Sequence, residues 1–219
     1  MTLTGIASTF IGAIIAIGEN NLFLSLFLTM LVCLILGMGI PTIPNYIITS
    51  SLAGPALLAL DVPLIVAHMF VFYFGIMADL TPPVALAAFA AAPMAKESGM
   101  KIAVQASKLA VAGYVVPFMA VYTPALMLQD GGPMAEAVGY PLAVLYIVLK
   151  ACLAIGLFAA AVVGFLFSRM AVWERLVAAA AAFSLVLAHP ITDALGFALA
   201  GFLIVLHWWR SRLVTGTAE

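Results

Sequence analysis

Charge is what this sequence has least of. Only 8% of its 219 residues are Asp, Glu, Lys or Arg, against roughly a quarter in a soluble domain. The net charge is −1, with no basic stripe and no run of like charges, so nothing is arranged to neutralise a phosphate backbone and nucleic acid is excluded as a partner. Cysteine is nearly absent too. Cys33 and Cys152 sit in apolar runs without a C-x-x-C spacing, which excludes a redox pair or thiolate metal site and predicts two small buried hydrophobes. Residues 1–5 carry neither a basic n-region nor a small-residue cleavage pattern, so they do not form a signal peptide.

What is present is apolar surface. The chain is 66% hydrophobic with a mean hydropathy of +1.26, and its apolar runs are long enough to span. This predicts an all-α polytopic membrane protein. A helix over 6–17 comes first. Residues 22–38 and 46–60 form two arms around a Gly/Pro tract, each short for a span of about 20 residues. That pattern predicts a re-entrant hairpin over about 22–60. A broken helix follows over about 62–94, in halves 62–78 and 84–92, then a span over about 102–126 kinked at Pro117. An acidic, Gly-rich loop covers 129–139. A span over 142–167, a basic connection over 169–175, and helices over 176–188 and 194–209 complete the chain. The expected division is a permease portion, 1–128, and a C-terminal transmembrane extension, 129–219.

Lys and Arg set the orientation. With Lys96 and Lys101 inside, the loop 129–139 lies outside and holds no Lys or Arg, while Arg169, Arg175, Arg210 and Arg212 return inside. The C-terminus is then cytoplasmic, and the hairpin opens from the outer face. Trp173, Trp208 and Trp209 sit beside basic residues as interfacial anchors, with lipid the surrounding partner. Lys108 can snorkel inward, but Lys150 has no account in the sequence.

Two interruptions carry the chemistry. Residues 36–45, Leu-Gly-Met-Gly-Ile-Pro-Thr-Ile-Pro-Asn, free backbone groups at membrane depth, and 78–84, Ala-Asp-Leu-Thr-Pro-Pro-Val, do so again. Exposed amides and carbonyls cost several kcal/mol each in hydrocarbon, so such backbone persists only inside protein or around a cavity. Paired broken helices point to a transporter's substrate and ion site. Hard cations such as sodium take oxygen ligands, here freed carbonyls at Gly37, Gly39 and Pro82, the hydroxyls of Thr42 and Thr81, and the Asp79 carboxylate. Half-helix N-termini attract anionic substrate, which places Thr42, Asn45 and Thr81 against it. The competing expectations are that these polar groups satisfy backbone beside the prolines and that Asp79 caps the second half-helix.

Other chemistry is thinly supplied. Ser8, Ser50, Ser51 and Ser107 lack a G-x-S-x-G elbow and a positioned base, so no catalytic residue is assigned. His68, His189 and His207 share no ligand spacing and are expected as satisfied core or interfacial histidines, with no cofactor bound. The alternatives from other classes are an intramembrane enzyme or haem-binding subunit built on His68, and a purely structural membrane subunit.

The stretch beginning at Leu36 and the stretch 67–89, which contains Asp79-Leu80-Thr81-Pro82-Pro83, resemble the large permease subunit of tripartite ATP-independent periplasmic (TRAP) transporters. The fused-permease branch is the most similar. The resemblance is specific over about 22–128, and the C-terminal helices are similar to the extension of the fused proteins. It implies an elevator-type transporter of two inverted repeats, with 37–45 as the second-repeat hairpin tip. It also implies sodium-coupled symport of organic acids across the bacterial inner membrane, delivered by a periplasmic solute-binding protein. The small-subunit helices and the first repeat that such a permease has upstream are not in these residues. The chain is therefore expected to hold about half a site and not to transport alone.

Overall fold

The computed structural model describes residues 6–18, 21–129, 132–187 and 189–215. Residues 1–5 and the side chains of Ser8 and Arg212, all used in the sequence reading, lie outside the described residues. The chain divides into two compact units, Met1–Val121 and Tyr122–Glu219.

In the first unit, α1 (Ile6–Gly18) leads to α2 (Leu22–Leu36), which starts where the Asn21 side chain accepts the Leu24 N–H. The apolar run ends at Gly37, the chain turns through Gly39 at φ +75°, and Pro41 opens α3 (Thr42–Leu58). Only glycine adopts that turn conformation without strain. The 15 residues of α2 and 17 of α3 correspond to arms of about 22 and 25 Å, short of the roughly 30 Å hydrocarbon core. A turn through Asp61 leads into α4 (Leu64–Met77), residues 78–85 are irregular, and α5 (Leu86–Ala95) resumes. Hairpin and broken helix are both present as expected.

The aromatic run is the core of this unit. Phe70 and Phe74 lie 4.8 Å apart, and Phe118 reaches them at 5.4 and 5.7 Å. Phe118 comes from α7 (Val111–Tyr122), which follows α6 (Gly99–Leu109). Pro117 sits inside α7, and the interruption falls at Ala110, where the Gly113 N–H turns back to the Ala110 carbonyl three residues earlier. The helix also stops at Tyr122 rather than Leu126, because Thr123 precedes Pro124 and the residue before a proline is pushed out of helical geometry.

The second unit contains α8 (Gly132–Val138), α9 (Tyr140–Val163), α10 (Val172–Val186) and α11 (Pro190–Thr215). Gly164, at φ +78°, ends α9, and the Arg175 guanidinium donates to the freed Ala161 and Val162 carbonyls at 2.7 and 3.1 Å. Small residues let α10 and α11 approach closely: a Cβ on Gly196 would lie 2.7 Å from Leu185 Cγ and 3.2 Å from the Ala181 carbonyl oxygen. Among the described residues, Gly99–Tyr122, Tyr140–Val163 and Pro190–Arg210 are long and apolar enough to cross a membrane.

Several expectations about this unit change. Lys150 is buried, with Nζ 3.1 and 2.9 Å from the two carboxylate oxygens of Asp193, to which the Tyr146 hydroxyl donates at 3.4 Å. α11 begins at Pro190, not Ala194, so Asp193 lies in its first turn. α10 likewise starts at Val172 inside the basic connection, because Glu174 accepts the Ala171 N–H at 2.6 Å and caps it. Glu174 is fully buried and also receives Arg210 at 2.8 Å and His207 Nδ1 at 3.3 Å. A backbone N–H, from Ser168, points at His207 Nε2, so that nitrogen accepts and Nδ1 carries the proton donated to Glu174. Cys33 is buried as expected, whereas Cys152 is exposed, on the face of α9 opposite buried Ala154.

A helical hairpin tip packed on a helix break

The two interruptions meet. A Cβ on Gly37 would fall onto the carbonyl oxygen of Gly75 in α4 and lie 2.9 Å from Ala78 Cβ and from Asn45 Nδ2. A Cβ on Gly39 would stand 4.0 Å from Leu86 Cδ1, at the start of α5. The tip 37–39 therefore runs along the break, touching the last turn of α4 and approaching the first of α5.

Asn45 is the tie between them. It is 2% exposed, and its Nδ2 donates to the Gly75 carbonyl at 2.7 Å. That carbonyl is free because α4 is ending: the Asp79 N–H goes to Ile76 instead. A carbonyl only accepts, so the carboxamide must present its NH2 there, which leaves Asn45 Oδ1 buried without a donor. Replacing Asn45 with leucine is expected to lower stability by about 1–3 kcal/mol, since the buried Gly75 carbonyl loses its side-chain donor without access to water. Thermal unfolding in detergent measures it, and an unchanged midpoint removes the tie.

The remaining candidates take varied positions. Gly37 is buried, while Gly39 and Thr42 are exposed on the tip. Thr42 opens α3 after Pro41, with no side-chain cap on that N-terminus. Asp79 is partly exposed, and its expected capping role is not realised: α5 has Ala85 at its N-cap and no side-chain cap, and it is the Asp79 main-chain carbonyl that accepts the Ala87 N–H at 3.1 Å. Ala85 at φ +41° turns the chain into α5 before any acidic side chain reaches its first amides. Thr81 donates to the Met77 carbonyl at 2.5 Å, and its oxygen lies 2.6 Å from the Tyr114 hydroxyl. Pro82 is followed by a cis peptide to Pro83. Thus Asn45 and Thr81 do satisfy backbone, as one expectation had it, whereas Thr42 and Asp79 do not.

Hydrogen-bond accounting identifies what is left over. Among the described residues, no hydrogen bond reaches the carbonyls of Met38, Gly39 and Ile40 at the tip, or of Thr81, Pro82 and Pro83 in the break. Elsewhere in the break, the Asp79 carbonyl accepts from Ala87 and the Leu80 carbonyl from Ser107 Oγ at 3.3 Å. Sequence reasoning missed Gly75, Tyr114 and this use of Ser107; the one signal for Gly75 was a glycine inside an otherwise bulky aromatic run. His68 is tied to Tyr46 at 2.8 Å between ring Nδ1 and hydroxyl, which joins α3 to α4.

Residues 1–135 match the sequence model of a family described as the tripartite ATP-independent periplasmic transporter, DctM component. The chain belongs to the DctM family. No curated protein and no solved structure matches it. As a DctM protein it is the large permease component of a TRAP transporter, and the matched region contains the whole hairpin and broken helix. The match ends within α8, and all of α9, α10 and α11 lie beyond it.

Proposed function

We propose that this chain carries a substrate and coupling-ion site of a sodium-driven TRAP permease importing organic acids handed over by a periplasmic solute-binding protein. The observation that supports it is the tip packed on the break, with carbonyls on both segments left without donors. Carbonyl oxygens at Gly39 and Pro82, with the Thr42 and Thr81 hydroxyls and the Asp79 carboxylate, are the donor set a sodium ion prefers; Gly37 keeps the segment close. Two helices, α3 and α5, begin at the interruptions with no side-chain cap, so their positive ends are available to a carboxylate. Thr42 stands at the first of these ends. Residues 1–128 are the transport portion and 129–219 an added membrane segment, with a cytoplasmic C-terminus in a bacterial inner membrane.

The test is uptake of labelled organic acid by the assembled transporter with its binding protein. Replacing sodium by choline is expected to abolish uptake, and Thr42→Ala or Thr81→Ala to reduce it at least tenfold with the protein still in the membrane. Uptake that continues in choline removes the coupling.

A further inference from the structure

Behind the helix break stands a side chain that the sequence did not flag. Gly113 lets α7 come close to the end of α4: a Cβ there would lie 2.9 Å from Met77 Sδ. The next residue, Tyr114, has its ring 6.3 Å from that of buried Phe74, and its hydroxyl 2.6 Å from Thr81 Oγ1. Thr81 Oγ1 is also 2.5 Å from the Met77 carbonyl oxygen. The carbonyl can only accept, so the one proton of Thr81 is committed to Met77. The proton between the two hydroxyls is then Tyr114's. A hydroxyl oxygen has two lone pairs, and Tyr114 occupies one. Towards any third partner Thr81 has a single lone pair and no proton. Such an oxygen can ligate a cation, but it cannot donate to a carboxylate.

We infer that Tyr114 is a positioning residue: by donating to Thr81 it fixes that hydroxyl as an acceptor, so Thr81 serves the coupling cation and not the organic acid. The inference rests on the sodium-coupled reading above and divides the roles within it. Ser107 supports the same segment less firmly, because its proton is shared between the Leu80 carbonyl at 3.3 Å and the Ala103 carbonyl at 2.9 Å.

Two readouts test it: thermal unfolding of the full chain in detergent across a sodium series balanced with choline, and uptake by the assembled transporter. Ligand binding to the folded state raises stability with the logarithm of one plus the ratio of ligand concentration to Kd, so the series reports sodium affinity without transport. Tyr114→Phe removes the donor and keeps the ring. It is expected to raise the sodium requirement about three- to tenfold in both readouts, the scale of one hydrogen bond, with the half-saturating substrate concentration unchanged within about twofold. Added to Thr81→Val it is expected to shift sodium dependence no further, whereas Thr81→Ser keeps the relay and the wild-type sodium requirement. An unmoved sodium requirement in Tyr114→Phe, a shift confined to substrate, or a multiplicative double variant overturns the role of Tyr114 while leaving coupling intact. A wild-type chain indifferent to sodium in both readouts overturns coupling and the Thr81 assignment together. Should Tyr114→Phe fail to fold, a sodium requirement altered in Thr81→Ser overturns the inference by itself.

Discussion

Gly37→Ala is expected to abolish uptake by the assembled transporter and to lower the unfolding midpoint of the chain. The added methyl would land on the Gly75 carbonyl oxygen, with Ala78 Cβ and Asn45 Nδ2 each 2.9 Å away. None of these is the free end of a flexible side chain. The hairpin must therefore back away from α4, and the 2.7 Å bond from Asn45 to Gly75 breaks as it does. Overpacking of this kind costs about 1–3 kcal/mol, and the freed buried carbonyl adds about 1–3 kcal/mol more. The larger consequence is for the site, whose two walls separate. Gly54→Ala is the control on the same hairpin, because a Cβ there meets nothing within 4 Å. Wild-type uptake by Gly37→Ala, with Gly54→Ala equally active, is the outcome that contradicts the packed tip.

Lys150→Met is expected to destabilise the second unit by about 3–5 kcal/mol, the scale seen when one partner of a buried ion pair is removed. The Asp193 carboxylate would be left with only the 3.4 Å contact from Tyr146. Asp193→Asn on its own should cost a similar amount by stranding the ammonium, since Lys150 is 2% exposed. Combining Lys150→Met with Asp193→Asn removes both charges, and most of the stability is expected to return. Unfolding of the four proteins forms a double-mutant cycle, and simple additivity would show that the two charges do not act on each other.

Much of the first unit was legible because glycine and proline inside apolar runs are physically costly. Residues 36–45 and 78–84 have no cheap place in lipid, so their presence alone announced two breaks and their mutual use. What was not legible came from approach between distant segments. Tyr114 lies 33 residues from Thr81 and Asp193 lies 43 from Lys150, so no local pattern links either pair. The interruption at Ala110, where α7 turns to bring Gly113 against Met77, has no proline to announce it. Asp79 looked like a cap because of its residue type. The main-chain carbonyl took that place once Ala85 turned the chain left-handed.

The pairing of Lys150 with Asp193 also sets an order of events during synthesis. At about 5–20 residues per second, the 43 positions between them separate the emergence of lysine and aspartate by about 2–9 s. For that interval α9 carries an ammonium whose counter-charge has not been made. Its entry into the membrane must rest on the apolar residues flanking the lysine. The helix reaches its final setting only when the first turn of α11 arrives, so the end of the chain completes a segment begun seconds earlier.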